Sequence, residues 1–519
     1  PFHIKQVDQS EIRTIINQLN SSKAKDIFGL DTFLIKKYSA DLVKPISHLG
    51  NLSIKKCEFP QGFKTAVVTP IFKSGSADAV CNYRPIAILP VISKVLEKLV
   101  AEQLMAYLEE KRILNSKQFG FRPRYSTEMA VCHFMEYIKS SLDGGKCVGA
   151  VFLDFTKAFD TVNHTVLLRK LEQLHISKQT LSWFKSYLEQ RHQCVKINGV
   201  KSGIQKCNVG VPQGSILGPL LFCLYINDIP NICKDAICQM YTDDTIIYVA
   251  ADTPEKASDL LNRQLCILSE WLQNNCLTLN YTKTVSMCFS LKKITNNELK
   301  IIINQHEIKP AGEFKYLGVV LDSKLKFDAH IKKMTKTIKT NINCFRMIRP
   351  CVSNQAAQVY LHAMILSHMS YCSIVWAQAT KSVLKPLLSL YKQALKIFDQ
   401  KPVKWHHCKI IKKYNMMTFD NFINFSFLKA IFKCLNGLAP EVICKFVLKY
   451  ANEGIRTRAG ARGNFRIKRC RTSMGQSAFS VKASHLWNSL PLELKSQTDV
   501  KLFSTRLKKW LKDNQKCEH

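Results

Sequence analysis

Two adjacent carboxylates at the tip of a hairpin constrain this chain more than any other feature. In Tyr241-Thr242-Asp243-Asp244 they stand between two apolar, β-prone runs, 237–241 and 246–250, a pattern that predicts a tight antiparallel hairpin. Neighbouring like charges repel and raise each other's pKa, so holding both at a tip makes sense mainly if a divalent cation sits between them and other ligands. That chemistry points to phosphoryl transfer. Asp also favours turns for local hydrogen-bonding reasons, so the rest of the chain has to decide.

The chain of 519 residues is long enough for several cores. Lys and Arg outnumber Asp and Glu by 75 to 39, a formal charge of +36, on a chain that is 46% apolar. Such an excess favours a polyanionic partner, nucleic acid first, over a merely soluble basic surface. The twenty cysteines fall at irregular spacings, and with no secretory leader expected, reduced intracellular thiols are expected rather than a disulfide framework. Neither His406-His407-Cys408 nor His362 and His368 with Cys372 has zinc-site spacing, and both sets read as packing or surface residues. Pro1 in place of Met leads us to expect sequence upstream. The charge-free stretch 209–227 is broken by Pro212, Gln213 and Gly214; its apolar part is too short for a membrane span and predicts a buried helix over Ile216–Asp228, capped by Ser215.

Along the chain, residues 1–54 form an amphipathic helical extension interrupted at Gly29-Leu30-Asp31, and an apolar run, Ala66 to Phe72, opens a mixed section. From Cys147 to Phe155 the pattern is that of a continuous buried strand. Beyond Lys326, Ile331, Met334, Ile338, Ile342 and Phe345 share one helical face while Lys332, Lys333, Lys336 and Lys339 lie on others. The expected organisation is α+β: an extension (1–54), a mixed catalytic section (55–325), a helical segment (326–400) and a basic, mostly helical region (401–519).

A third carboxylate completes the constellation. Asp154 ends the apolar strand and can meet Asp243 and Asp244 across paired strands; three carboxylates on one sheet suit two Mg²⁺ ions about 3.5–4 Å apart. Val-Phe-Leu-Asp-Phe-Thr-Lys-Ala-Phe-Asp-Thr-Val (151–162), Gly-Val-Pro-Gln-Gly-Ser-Ile-Leu-Gly-Pro-Leu-Leu-Phe (210–222), Tyr-Thr-Asp-Asp-Thr (241–245), Leu-Thr-Leu-Asn-Tyr-Thr-Lys-Thr (277–284) and Lys-Tyr-Leu-Gly-Val (315–319) occur in that order. Together they resemble the palm motifs of reverse transcriptases, specifically those of non-LTR (LINE-type) retrotransposons. Upstream, Thr-Pro-Ile-Phe-Lys (69–73), Asn-Tyr-Arg-Pro-Ile (82–86) and Gln-Phe-Gly-Phe-Arg (118–122) resemble the family's fingers. Eight motifs in order are far more specific than any one alone. Leu-Asn-Gly-Leu-Ala-Pro (435–440) and Leu-Trp-Asn-Ser-Leu-Pro (486–491) are similar to the tails of chicken-repeat and jockey-like elements.

The resemblance implies a right-hand polymerase, with fingers and palm over 55–325 and a helical thumb over 326–400, that extends a primer 3′-hydroxyl with dNTPs on an RNA template during target-primed retrotransposition. It implies RNA, a DNA primer or target and dNTPs as partners, no membrane, and a nuclear and cytoplasmic location. Asp154 and Asp243 become the main metal ligands, with Asp244 nearby and the Phe155 carbonyl adding an oxygen. Lys73 and Arg84 would neutralise the incoming triphosphate, one as a point charge and one as a fork; alone, each reads as a solvated cation. Gln213 and Gly214 form the loop against which the templating pair packs, or a simple turn before a buried helix. Lys283 matches the lysine proposed to protonate departing pyrophosphate. Phe159 matches the ring that excludes the ribose 2′-hydroxyl, or is a core aromatic. The 314–321 hairpin resembles the primer grip, or its Tyr316 and Leu317 are core residues, and Thr242 departs from the family's usual Ala. Asp160 is expected to cap or pair locally.

Two further expectations follow. The family's usual upstream endonuclease domain is not in this sequence. The basic stripe Arg456, Arg458, Arg462, Arg466, Lys468, Arg469 and Arg471 grips nucleic acid or is a solvated loop. Competing readings are a catalytically dead or co-opted nucleic-acid-binding relative, against which the intact acids and cations argue, and a group II intron or telomerase-like polymerase.

Overall fold

A computed structural model describes residues 1–292, 299–448 and 463–516. Arg456, Arg458 and Arg462 of the basic stripe lie outside the described residues. The strands, in chain order, are β1 (Thr65–Phe72), β2 (Tyr83–Ile88), β3 (Cys147–Leu153), β4 (Arg191–Ile197), β5 (Val200–Lys201), β6 (Gln205–Cys207), β7 (Ile237–Tyr241), β8 (Asp244–Ala251), β9 (Val285–Phe289), β10 (Ile302–Ile303), β11 (His306–Glu307), β12 (Lys309–Pro310), β13 (Glu313–Tyr316) and β14 (Val319–Asp322). Helices precede, separate and follow them, so the α+β class is borne out. No helix among the described residues is long and apolar enough to cross a membrane, and no disulfide joins the described cysteines.

The chain divides into two compact units, one comprising 1–121, 154–234 and 266–280, the other 122–153, 235–265 and 281–519. In the first, β1 pairs antiparallel with β2 and parallel with β4. The extension is helical as expected, with Asp8 forming a capping box at helix Gln9–Gln18 and Ile12, Ile15 and Ile16 buried against Val95 and Leu99. The buried helix after Ser215 is shorter than its apolar pattern predicted, Leu217–Tyr225. A continued helix would need an N–H at position 230 for the Ile226 carbonyl, which Pro230 lacks; beyond the helix Asn227 donates to the Ile113 carbonyl and Asp228 accepts from Lys170 and Trp271. Ser215 does cap, its Oγ accepting from the Gly218 N–H at 2.9 Å. The fully buried Glu97 carboxylate takes the N–H groups of Ile216 and Leu217, while burial raises its pKa.

The second unit is built on a five-stranded sheet in the order β12-β9-β3-β8-β7, with β3 antiparallel to both β8 and β9. Every residue of β3 is buried, as its continuous apolar run predicts. Phe134, on helix Thr127–Asp143, meets Phe152, Tyr248 and Phe289 with ring centroids 5.9, 4.8 and 5.8 Å away. On the other face Gly149 admits Leu261 and Ala257; a Cβ there would stand 2.9 Å from Leu261. The helix expected after Lys326 is Asp328–Ile348, and the five apolar residues of its stripe are buried.

Residues 468–480 bind the polar side of helix Thr127–Asp143. Asp143 Oδ1 accepts from the Arg471 and Thr472 N–H groups at 2.9 and 2.8 Å, and Lys139 Nζ donates to Ser477 Oγ at 2.7 Å. Buried Glu136 accepts from the Ser480 N–H and hydroxyl. Burial lowers Lys139 to about 7 and raises Glu136. Lys468 is thus turned inward, Nζ donating to Ser140 Oγ at 3.1 Å, whereas Arg466, Arg469 and Arg471 are exposed.

Candidate active site

Register gathers the acids at one end of the sheet. Tyr241 pairs with Asp244, so Thr242 and Asp243 are the two central residues of the β7–β8 turn. Leu153, the last residue of β3, lies opposite Thr245, and Asp154 is the next residue in the chain. Val285 lies opposite Phe152, which brings the approach to β9, and with it Lys283, to the same end. Asp243, Asp244 and Lys283 are exposed and Asp154 half-buried. Thr242 has φ +60° and is buried, a strained setting for a β-branched residue that costs about 1–2 kcal/mol. The turn holds the acids outward at that cost.

After Asp154 the backbone bridges to residues 278–280. The Asn280 N–H donates to the Asp154 carbonyl at 2.7 Å and the Thr156 N–H to the Thr278 carbonyl at 2.9 Å. This bridge uses the carbonyl before Phe155 and the N–H after it, not the Phe155 carbonyl. Carboxylates and a backbone carbonyl are the oxygen donors a hard divalent cation takes, so the residues present fit Mg²⁺.

The 155–162 loop is laced to the 210–214 loop in the first unit. Gly210 and Val211 N–H groups donate to the Val162 and Phe159 carbonyls, both at 2.8 Å. Gln213 Nε2 donates to Asp160 Oδ1 at 2.9 Å, and the Ala87 N–H of β2 donates to the Gln213 carbonyl at 2.7 Å. Asp160 therefore orients Gln213, 53 residues away in sequence, rather than capping or pairing locally as expected; burial raises its pKa, the Gln213 bond opposing. Gly214 has φ +133°, and a Cβ there would lie 2.3 Å from the Ala87 carbonyl oxygen, so only Gly fits. Phe159 is half-buried and stacked on Phe222, centroids 4.6 Å apart.

Lys73 and Arg84 belong together but apart from Gln213. Arg84 pairs with Ile71, and the Lys73 N–H reaches the Asn82 carbonyl, so both cations lie on one face of the exposed β1–β2 hairpin as diagonal neighbours. Gln213 and Asp160 instead line a cavity of about 370 Å³ with Pro85 and Ala87 from the hairpin's other face.

The 314–321 hairpin carries a latch that sequence patterns miss. Leu317 and Gly318 have φ +44° and +84°, and Tyr371, more than fifty residues on, donates its hydroxyl to the Leu317 carbonyl at 2.8 Å with its ring against Gly318. Tyr371→Phe is expected to destabilise the protein by about 0.5–1 kcal/mol, since the bond is partly exposed; thermal melting beside the parent checks it. His406, His407 and Cys408, read as ordinary residues, place their ligand atoms within 4.8 Å of one another.

Residues 71–321 match the reverse transcriptase (RNA-dependent DNA polymerase) family. These residues form a reverse transcriptase domain. The chain is 28% identical over 435 residues to a probable RNA-directed DNA polymerase from transposon BS of Drosophila melanogaster, covering 81% of this chain and 48% of that protein. It is 29% identical over 337 residues to the probable RNA-directed DNA polymerase from transposon X-element (64% and 37%), and 28% over 344 residues to that of mobile element jockey (65% and 37%), both of the same fly. The chain thus spans less than half the length of these relatives. Among solved structures, apo telomerase from Candida tropicalis aligns over 80% of this chain and 72% of that one at 11% identity, with a TM-score of 0.40.

Proposed function

We propose that this chain is an RNA-directed DNA polymerase that extends a primer 3′-hydroxyl with dNTPs on an RNA template, serving target-primed movement of a non-LTR retrotransposon, with access to nucleus and cytoplasm. The observation that carries the reading is the β3–β8 register, which brings the Asp243-Asp244 turn to the end of the strand that Asp154 follows. Asp154, Asp243, Asp244 and the Phe155 carbonyl would hold two Mg²⁺ ions. Bound there, the ions supply activation of the attacking oxygen and stabilisation of the leaving one. Lys73 and Arg84 bind triphosphate oxygens, Arg84 in bidentate fashion. Gln213, oriented by Asp160, and Gly214, which keeps the loop against β2, support the templating pair. Lys283 delivers a proton to the departing pyrophosphate.

Purified protein with a DNA primer on an RNA template is expected to incorporate dNTPs only when Mg²⁺ is present, and EDTA is expected to stop it. Absence of incorporation on both RNA and DNA templates by a folded preparation would reject the reading.

Phe159 serves in this reading as the barrier to ribonucleotides, because a 2′-hydroxyl meeting its ring is penalised by repulsion. Phe159→Val is expected to keep dNTP incorporation within a modest factor and to raise relative rNTP incorporation about tenfold or more. Loss of the Phe222 stack alone would lower both together through roughly 1–3 kcal/mol of packing. Single-nucleotide extension with matched dNTP and rNTP separates the outcomes, and an unchanged ratio rules out the barrier.

A further inference from the structure

The second unit contains a cavity of about 650 Å³ that the polymerase reading does not use. Helix Phe419–Leu435 lines it with Phe422, Phe425, Lys429 and Lys433, spaced three or four residues apart and so on one face. Helix Val500–Asp513 adds Lys508 and Lys512, one turn apart. The Lys508 and Lys429 ammonium groups stand 5.3 and 6.0 Å from the centroid of the half-buried Phe425 ring. The one acid in the lining, Glu128, is turned to the Ile374 N–H, and burial raises it to about 6.

We propose that this cavity binds single-stranded nucleic acid, taking an unstacked base against Phe422 and Phe425 and the flanking phosphates on the four lysines. Aromatic planes ringed by cations suit a polynucleotide whose bases are free to splay. An acidic peptide would use the lysines but leave the rings without a role. The site lies outside the polymerase motifs, so its test is independent of them.

The experiment uses the full chain carrying Asp243→Asn, so that no extension occurs. Fluorescence anisotropy reads binding of a 12-nucleotide oligouridine RNA, the matching oligothymidine DNA and a 12-base-pair duplex across a salt series. Replacing Lys429, Lys433, Lys508 and Lys512 together by Gln is expected to weaken single-strand binding at least tenfold at 0.15 M salt. It should also flatten the log affinity against log salt slope by about 2–3, near 0.7 per lost phosphate contact. Phe425→Ala is expected to weaken it about tenfold with the slope unchanged. Equal losses for RNA and DNA assign the site to the shared base-and-phosphate chemistry, and loss for RNA alone assigns it to RNA; both support the proposal. An unchanged slope and affinity in a folded quadruple variant, an equal loss for the duplex, or displacement of RNA by polyglutamate charge for charge would overturn it. Should the quadruple variant fail to fold, a 4-thiouridine oligomer photocrosslinked to the parent decides: crosslinks on tryptic peptide 414–429 support the site, and their absence there removes it.

Discussion

Asp243→Asn is expected to lower the rate of primer extension at least about 100-fold while leaving RNA affinity within about twofold of the parent. Even changes in groups that merely orient metal ligands cost about 10–100-fold, and this one removes a ligand's charge outright. The side chain is exposed at a turn tip, so Asn replaces it with little loss of packing, and melting should hold within about 0.5 kcal/mol. The same is expected of Asp154→Asn, whereas Asp244→Asn is damaging to a degree that depends on how far its role is geometric. Extension and filter binding measured side by side are the check. More than a tenth of the parental rate in Asp243→Asn or Asp154→Asn would sink the assignment of metal ligands.

Gly214→Ala is expected to be the most harmful single-methyl change in the first unit. An added Cβ would stand 2.3 Å from the Ala87 carbonyl oxygen at φ +133°, so the loop must swing away. The swing breaks the bond from the Ala87 N–H to the Gln213 carbonyl, costing about 0.5–1.5 kcal/mol, on top of roughly 1–3 kcal/mol for a side chain in that backbone region. A loss of about 2–4 kcal/mol is expected, with extension falling further than the melting shift accounts for, because Gln213 moves off Asp160. Gly62→Ala is the control: nothing lies within 4 Å of its Cβ position, and stability should be unchanged within about 0.5 kcal/mol. Parental melting and parental rate in Gly214→Ala would mean that the loop holds nothing.

What was legible in the sequence was whatever period and turn chemistry encode. The acids flanked by apolar, β-prone runs gave the β7–β8 hairpin, the run 147–155 gave a buried central strand that in the structure ends at Leu153, and the 331–345 stripe gave its helix, because each is decided by residues within a few positions. Long-range polar partnerships were not legible. Nothing local to Glu97 announces that it caps a helix more than a hundred residues later, nor does Tyr371 signal its bond to Leu317. The cations were readable as residues but not as neighbours: Lys73 and Arg84 lie on the opposite face of their hairpin from Pro85 and Ala87, a fact set by the register of β1 and β2. Lys468 looked like one charge in a stripe, yet its ammonium donates to Ser140 on helix Thr127–Asp143, and only that tertiary partner reveals it.

The hydrogen bonds that Glu136 receives from Ser480 span 344 residues, and that span imposes an order on synthesis. A ribosome releases helix Thr127–Asp143 long before the segment that satisfies its buried polar side exists, so the central sheet must either wait half-formed or rely on a holding factor. A message truncated before Thr472 would strip Glu136, Lys139 and Asp143 of these partners and uncover apolar side chains such as Phe427 and Phe432, which stack on Phe479 and Phe503, a loss large against the stability of a whole domain. Chains cut short there are expected to melt below the parent or to fail to fold, so whether the helix beside the central sheet holds is decided by residues made more than three hundred positions later.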